Sequence, residues 1–468
     1  MQSAHQTSAP GYKWLVLAVV GFGTFMSALD GSIVNVIVPL VQEQYHATIG
    51  SVSWVSTAYL LVICSLLLLV GRLGDMWGFK GVYSIGYALF GAGSLLCGLA
   101  PSLAGLVGAR VVQGLGAATM MAIGPALITT SFPGNERGRA LGMQATLTYL
   151  GLTIGPSLGG FVAGQFGWHW VFLINVPVAA VGACLAITLL RPSGTLARQR
   201  LDLSGALLVA AGFTATLLSL SRAEVWGWHS VKTLVLLSVG IVLLVLFVWQ
   251  ERRTAQPMLP LALFSSPAFS GGAAAAFLQY ATVFMLTFLL PFYLQAFRGL
   301  GPKAAGAVMT AQPVVMVSVA ALAGWIADKI GARWPATAGM VVIGLGMGLL
   351  SRSGADSALP LVMVCLGLVG LGSGLFSAPN NSLIMGAAPR AQQGVAAGLL
   401  AAARNVGMVT GIAIANSLFS YLRGATEQGG AAPDAAFLKA FGGTLAVAAA
   451  MAAVGALLSL LRPVGPKT

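Results

Sequence analysis

One carboxyl group stands apart from the others in this sequence. Of the 11 acidic residues, ten fall in polar segments or near the ends of apolar stretches, whereas Asp30 lies inside one. A charge at the centre of a bilayer costs at least about 2.5–3.5 kcal/mol on insertion scales, so such groups face the protein interior and usually carry function. Since burial favours the neutral form of a carboxyl group, we predict that Asp30 binds and releases a proton.

The residues around Asp30 follow helical spacing. Thr24, Ser27, Gly31 and Asn35 recur at i, i+3, i+7 and i+11, so they share one face of a helix and Asp30 lies on its flank. We expect this stripe to line a central cavity. The alternative is a structural Asp30 that pairs with a buried arginine or caps a kink.

Two cations also lie inside apolar stretches. Arg110 is the natural partner for Asp30, although it is near enough to the start of its stretch to be a snorkelling cation at the interface. Arg404 lies beside Asn405 without an acidic neighbour in its own stretch. It either pairs across the bundle or contacts an anionic or carbonyl-bearing substrate. The candidate cavity residues are Ser27, Asn35, Trp54, Tyr59, Tyr149, Phe277, Tyr280, Phe284, Gln312, Asn380, Asn381 and Arg404.

The elements that position these residues follow from composition. The 468 residues are 57% hydrophobic and 7% charged, against about 25% charged in a soluble domain, so a water-facing surface is excluded. Apolar stretches of about 18 residues or more are long enough to cross a bilayer as helices. The sequence predicts an all-α membrane protein with fourteen spans at 14–38, 51–71, 82–101, 103–126, 140–163, 170–190, 203–221, 233–250, 270–296, 304–327, 335–351, 358–384, 393–420 and 441–461.

The net charge of +13 is unevenly distributed over the predicted loops. With a cytoplasmic N-terminus, 15 Lys and Arg residues fall in inside loops and seven in outside loops. This positive-inside bias predicts a bacterial-type inner-membrane protein with both termini in the cytoplasm. It also argues against nucleic acid as the partner of these cations, and favours the lipid bilayer.

Several other functions are disfavoured by what the sequence lacks. The four Cys residues lie singly inside apolar stretches, and the four His residues lie in loops or at the terminus, so no metal site is expected. There is no Gly-x-x-x-x-Gly-Lys-Ser/Thr loop for ATP. We therefore predict neither a cofactor nor an enzyme. A membrane sensor or scaffold would need a soluble domain beyond these short loops.

The chain repeats itself. The segment Gly71–Lys80 recurs at an offset of 253 as Gly324–Arg333, and seven Gly and Pro positions between Gly114 and Gly155 recur at an offset of 256. A six-helix unit therefore occurs twice in the same orientation, with the substrate site expected between the copies. The predicted organisation is 1–13 N-terminus, 14–190 first bundle, 191–266 linker with two extra helices, 267–461 second bundle and 462–468 tail.

Four motifs lie in order along the chain. They are Leu29–Val36 (LDGSIVNV), Gly71–Lys80 (GRLGDMWGFK), Arg110–Gly116 (RVVQGLG) and Gly151–Gly160 (GLTIGPSLGG). Together they resemble the motifs of the major facilitator superfamily, specifically its fourteen-helix drug:proton antiporter branch, over essentially the whole chain.

The resemblance implies a function. It implies a monomeric proton-coupled antiporter that exports amphipathic, cationic or neutral drugs by alternating access, with Arg110 taking part in proton transfer. The alternative is a dedicated exporter of one metabolite or antibiotic, which can be anionic. Both readings have a small molecule and protons as partners.

Two motifs have a physical interpretation as moving parts. In the segment Gly71–Lys80, called here the gating motif, Gly71 and Gly78 permit a tight turn. Asp75, with Lys80 nearby, can accept hydrogen bonds from a neighbouring helix N-terminus. A mere tight turn is the alternative.

The segment Gly151–Gly160, called here the helix-five motif, lies in the fifth predicted span. Its small residues are expected to let the helix bend and pack against the other bundle. They are Gly151, Gly155, Pro156, Gly159 and Gly160.

Overall fold

The computed structural model describes residues 11–133, 136–192, 203–227, 229–254, 261–389 and 393–461, and these are helical with no β-strand. A 3₁₀ turn spans Leu261–Ser265 and a π-helical turn spans Phe292–Phe297. The α-helices are α1 Tyr12–Gln44, α2 Ile49–Val52, α3 Trp54–Trp77, α4 Phe79–Gly98, α5 Leu103–Ser131, α6 Arg137–Phe166, α7 His169–Leu173, α8 Asn175–Leu189, α9 Leu203–Trp226, α10 Val231–Arg253, α11 Pro267–Pro291, α12 Pro302–Met309, α13 Ala311–Ile330, α14 Arg333–Leu350, α15 Leu359–Ala387, α16 Gln393–Gln428 and α17 Pro433–Leu460.

Within the described residues, thirteen helical segments are long and apolar enough to cross a membrane. Each overlaps one predicted span. The remaining predicted span, 140–163, lies in α6, which is 30 residues long but is not among the thirteen. The reason lies in its composition, because α6 is rich in Gly and Thr. It nevertheless packs extensively against α1.

The helices before α9 pack mainly on one another, and so do those after α10. In the first group α1 contacts α5, α6 and α8, and α4 contacts α5 and α8. In the second group α11 contacts α15, α16 and α17, and α13 contacts α15. Helix α9 contacts α10, α3 and α16, so the inserted pair lies against both groups.

Close glycine crossings recur in the two groups. A Cβ at Gly116 in α5 would lie 2.6 Å from the carbonyl oxygen of Gly86 in α4, and a Cβ at Gly372 in α15 would lie 2.4 Å from that of Gly339 in α14. These four residues are related by the sequence offsets of 256 and 253. The internal repeat therefore has a counterpart in backbone packing.

The same holds for the helices that carry the candidate site. A Cβ at Gly151 in α6 would lie 2.7 Å from the Phe25 oxygen in α1, and one at Gly407 in α16 would lie 2.5 Å from the Phe277 oxygen in α11. Side chains larger than hydrogen would force these helices apart. The pairs α1–α6 and α11–α16 are thus equivalent pairs, with α1 and α11 related by an offset of 252.

The two groups meet at one end of α6. A Cβ at Gly160 would lie 2.4 Å from the Pro302 oxygen in α12, and one at Gly306 would lie 2.3 Å from the Pro156 oxygen. Near the same end, Gln295 of the π-helical turn donates from Nε2 to the Val36 oxygen of α1 at 2.6 Å. This end of the interface is closed in the structure.

Candidate functional site

A buried ion pair links α1 to α5. The Arg110 Nη1 atom donates to Asp30 Oδ2 at 2.6 Å, and the two side chains are 1% and 0% exposed. Two charges held this far from water need further hydrogen bonds to offset their desolvation. The surrounding helices supply them.

Two amides complete the environment of the carboxylate. Gln113 Nε2 donates to Asp30 Oδ1 at 2.9 Å, and Asn175 Nδ2 donates to the same oxygen at 2.9 Å. Gln113 also donates to Ser94 Oγ at 2.8 Å and accepts from Arg110 Nη1 at 2.5 Å. The carboxylate therefore accepts three hydrogen bonds, supplied by α5 and α8. These hydrogen bonds offset part of the desolvation of the carboxylate.

The guanidinium of Arg110 is equally enclosed. Its Nε donates to the Val55 oxygen of α3 at 2.8 Å, and its Cζ lies 4.1 Å from the ring centroid of Tyr59. Tyr59 in turn donates from its hydroxyl to the Ser27 oxygen of α1 at 3.2 Å. Arg110 is thus locked between α1, α3 and α5. This position does not fit the alternative of a cation snorkelling to the interface.

The second buried cation has a different environment. The Arg404 guanidinium is half-buried, and its Cζ lies 5.7 Å from the Tyr280 ring centroid. Among the described residues it has no acidic partner within ion-pair distance, and its Nε has no hydrogen-bond partner. Nδ2 of the adjacent Asn405 is also buried without a partner. The Nε–H group of Arg404 is therefore a buried donor without an acceptor among the described residues.

The candidate cavity residues fall into two sets. In the first bundle Ser27, Asn35 and Tyr59 are at most 5% exposed and are bonded within the helix packing. Trp54, 9% exposed, stacks against Arg222 of α9 at 4.6 Å. In this conformation these side chains do not face an open cavity, because they pack against neighbouring helices. The Tyr149 side chain lies outside the described residues.

The second bundle holds most of the candidates that remain accessible. Half-buried side chains there are Phe277, Tyr280, Phe284, Gln312, Asn381 and Arg404. The three aromatic residues follow a spacing of i, i+3 and i+7 along α11, so they share one face. Asn380 differs, because it is 1% exposed and donates to the Gly272 oxygen at 3.2 Å.

The gating motif forms a tight turn in both repeats. Gly78 ends α3 with φ +85°, and Gly331 ends α13 with φ +87°. Glycine suits this conformation because it has no Cβ. Gly71 has open space beside it and Lys80 is half-buried. The Asp75 side chain lies outside the described residues, so its predicted hydrogen bonds stay a prediction.

The helix-five motif packs differently from the expectation. A Cβ at Gly151, Gly155 or Gly159 would meet α1 of the same bundle, at 2.5–2.7 Å. Pro156 and Gly160 meet α12 of the other bundle, and Ser157 Oγ lies 2.5 Å from Thr310 Oγ1 at the end of α12. Residues spaced by four share a face, and the face of Gly151, Gly155 and Gly159 belongs to α1. One face of the motif therefore meets the other bundle as expected, and the face of Gly151, Gly155 and Gly159 packs against α1 instead.

Sequence reasoning did not single out three residues of the ion-pair network. Gln113 lies one helical turn after Arg110 and could have been found from that spacing. Asn175 is an amide inside the charge-free segment 140–190, where a polar side chain indicates an interhelical hydrogen bond. Ser94 carried no such signal.

Comparison with known proteins identifies the family. The family profile described as Major Facilitator Superfamily matches residues 20–301 and 272–468. A riboflavin transporter, RibZ, of Clostridioides difficile is 36% identical over 87% of this chain and 88% of its own length. The multidrug resistance protein Stp of Mycobacterium tuberculosis is 35% identical over 88% and 77%. The tetracenomycin C resistance and export protein of Streptomyces glaucescens is 30% identical over 88% and 76%.

The fold has a solved counterpart. The crystal structure of a D-xylose-proton symporter covers 98% of this chain and 99% of its own, with a TM-score of 0.70 at 15% identity. At that identity the likeness concerns the fold alone. With the family profile and with transporters as relatives, it shows a multi-pass membrane transporter and not an enzyme. The chain therefore belongs to the major facilitator superfamily.

Proposed function

We propose that this transporter is a proton-coupled antiporter that exports amphipathic, drug-sized, cationic or neutral compounds. The observation that carries the proposal is the buried pair Asp30–Arg110, the one acid–base pair within the described spans that lies wholly out of solvent. Relatives named for multidrug resistance and for antibiotic export support the substrate class.

The pair offers a mechanism for coupling. Protonation of Asp30 would remove the charge that balances Arg110, and would turn a charge-assisted hydrogen bond into a weaker neutral one. An unpaired cation at this depth is costly, so α1, α3 and α5 would have to rearrange to give Arg110 another partner or water. The protonation state then favours one conformation over the other.

The rearrangement has a route to the interface between the bundles. Helix α1 packs along α6 through Gly151 and Gly155, and α6 meets α12 at Gly160. A shift of α1 would therefore move the helix that closes one end of the interface. With both termini in the cytoplasm, as the loop charges favour, this closed end is the outer one and the protein lies in the inner membrane.

The buried position of Asp30 limits how substrate and proton compete. Asp30 is 0% exposed and fully ligated by protein groups, so a substrate does not touch it in this conformation. Competition would instead act through conformation, with substrate favouring the state that releases the proton. Cationic character of the substrate is not required by this arrangement.

The test replaces Asp30 by Asn, which keeps the shape and removes the proton-binding group. Reconstituted vesicles with an imposed pH gradient would be assayed for uphill transport of ethidium and of riboflavin. We expect Asp30→Asn to lose uphill transport and keep downhill exchange. Asp434→Asn, at an exposed position in the first turn of α17, is the matched control. Uphill transport by Asp30→Asn with the parental pH dependence would refute the coupling role.

A second candidate is a dedicated exporter of one metabolite or antibiotic, which can be anionic. The observation that favours it is Arg404, which is half-buried and has no acidic partner within ion-pair distance among the described residues. Such a cation suits a substrate with one defined acceptor group better than a range of cationic substrates. Relatives named for riboflavin and for tetracenomycin C are compatible with it. Competition assays distinguish the two functions: a multidrug exporter is inhibited by many unrelated compounds, and a dedicated one by close analogues only.

A further inference from the structure

The charges of the described spans are unevenly divided between the bundles. Two acidic side chains in them are buried: Asp30, which Arg110 neutralises, and Glu251 near the end of α10, which is 2% exposed. Arg404 has no acidic partner within ion-pair distance in the part of the chain that the structure describes. The positive charge of Arg404 in α16 is therefore not offset by a contacting carboxylate there.

An uncompensated cation inside a membrane helix indicates function. Arg404 is only half-buried, and it lies beside the face of α11 that presents Phe277, Tyr280 and Phe284. The guanidinium is planar and presents donors in a fixed fork that matches oxygen acceptors. The neighbouring aromatic face suits a flat ring system. One acceptor group and one planar apolar body thus fit together here.

We infer that Arg404 and Tyr280 form a substrate subsite for planar aromatic compounds that carry an oxygen acceptor, either a carboxylate or phenolate or a conjugated carbonyl. The inference rests on the proposed transport function and selects, among the substrates of its two candidates, neutral and anionic compounds over planar cations. Planar cations without such an acceptor are repelled by the guanidinium. The subsite lies in the second bundle, away from the proton-binding pair in the first.

Equilibrium binding to the purified full-length protein tests the subsite without a pH gradient. The probes are three fluorescent tricyclic compounds: fluorescein as the anionic acceptor, riboflavin as the neutral carbonyl acceptor, and ethidium as a cation without an oxygen acceptor. We expect the parent to bind fluorescein and riboflavin more tightly than ethidium. Arg404→Gln should weaken the binding of the first two by about tenfold or more, since it removes a charge-assisted hydrogen bond, and should strengthen the binding of ethidium.

The fluorescein and riboflavin measurements distinguish an anionic acceptor from a neutral carbonyl acceptor. A loss confined to fluorescein assigns the subsite to anions, and an equal loss for riboflavin assigns it to the acceptor oxygen. Arg404→Lys should restore part of the fluorescein affinity. The matched control is Arg423→Gln in the same helix, because Arg423 forms an exposed pair with Glu427 at 2.8 Å, and this change should alter no affinity.

Several outcomes would overturn the inference. Parental binding of ethidium that equals or exceeds fluorescein binding would do so, as would a parent that binds neither acceptor dye. An equal loss of all three dyes in Arg404→Gln, with a lower melting temperature, would show a structural cation instead. Failure of the proposed function is distinguishable, because Asp30→Asn would then transport normally while the dye preferences of the parent and Arg404→Gln stay as expected here.

Discussion

The two bundles place different chemistry on equivalent helices. Glycine crossings relate α1 to α11 at an offset of 252, and α5 to α15 at 256. Asp30, Arg110 and Gln113 of the first bundle therefore correspond to Thr282, Leu366 and Val369 of the second. Leu366 and Val369 are fully buried apolar side chains. The second bundle thus keeps the packing of the first and lacks its ion pair.

A charged residue of the second bundle likewise lacks a charged counterpart in the first. At the same offsets Arg404 of α16 corresponds to Thr148 of α6, and Tyr280 of α11 corresponds to Ala28 of α1. Thr148 is uncharged, and its hydroxyl donates to the Gln144 oxygen of its own helix at 3.2 Å. The half-buried cation and its aromatic neighbour therefore have no equivalent at these positions of the first bundle.

This difference indicates that the two bundles have separate functions. Helix crossings need small residues wherever backbones approach, so both copies keep glycine at those positions. A polar group inside a membrane protein is energetically costly, so its presence indicates a function. We propose that the first bundle binds the proton and the second recognises the substrate, so that the interface between them couples the two events.

The largest expected effect comes from breaking the ion pair. Arg110→Met leaves the Asp30 carboxylate buried without its counter-charge, and breaking a buried pair costs about 3–5 kcal/mol. We expect a large drop in the melting temperature of the purified protein, or failure to accumulate. Leu366→Met, at the equivalent position of the second bundle, should cost less than about 1.5 kcal/mol because the swap conserves volume.

The double substitution Asp30→Asn, Arg110→Met sharpens this prediction. Removing both charges leaves no uncompensated ion, so the double variant should melt at a higher temperature than Arg110→Met alone. It should still be inactive in uphill transport. A double variant no more stable than Arg110→Met would show that Arg110 acts through packing on Tyr59 and not through the charge of Asp30.

The closed end of the interface gives the next largest effect. Gly160→Val places a side chain where a Cβ already lies 2.4 Å from the Pro302 oxygen, so α6 and α12 cannot stay in contact. We expect at least about tenfold less transport and greater labelling of cysteines introduced beside this crossing. Gly164→Val is the control, since a Cβ there is 3.7 Å from its nearest neighbour. Equal loss in both variants would contradict the interpretation.

How much of this site the sequence could predict depends on the kind of contact. Asp30 and Arg110 were identifiable because charges are rare inside apolar stretches, and their pairing followed from charge balance. Asn175 bonds Asp30 only because α8 packs beside α1 and α4, and such packing is not contained in helical periodicity. The helices themselves and the repeat were predictable, because hydropathy and glycine spacing are local properties.

The helix-five motif shows where periodicity is insufficient. Small residues at Gly151, Gly155 and Gly159 predict a close helix contact, but not which helix supplies it. The partner turned out to be α1 of the same bundle, and the other bundle contacts Pro156 and Gly160. Likewise Trp54 and Tyr59 were predicted to line a cavity, but the Trp54 ring packs on Arg222 and the Tyr59 ring packs on Arg110. The partners of a helix face are set by tertiary structure.

A smaller effect is expected from the third donor of the carboxylate. Asn175→Ala removes a hydrogen bond to a charged group, worth about 1.5–3 kcal/mol, and so weakens the network around the ion pair. We expect a lower melting temperature of the purified protein, with uphill transport retained. Asn380→Ala, a buried amide of the second bundle that donates to a neutral carbonyl and does not contact Asp30, should lower the melting temperature less, because a hydrogen bond between neutral groups is worth about 0.5–1.5 kcal/mol. An equal decrease in both variants would contradict the importance of the charged acceptor.

The smallest effect should come from the counterpart of Asp30 itself. The Thr282 hydroxyl is buried, and in the part of the chain that the structure describes it has no hydrogen-bond partner. Thr282→Val keeps the shape and removes a polar group whose desolvation is uncompensated, so stability should change by less than about 1 kcal/mol or rise slightly. Because Thr282 cannot titrate, transport measured against pH should follow the parental curve. A displaced curve would mean that proton binding also depends on the second bundle at this position, and the division between the two copies would then fail.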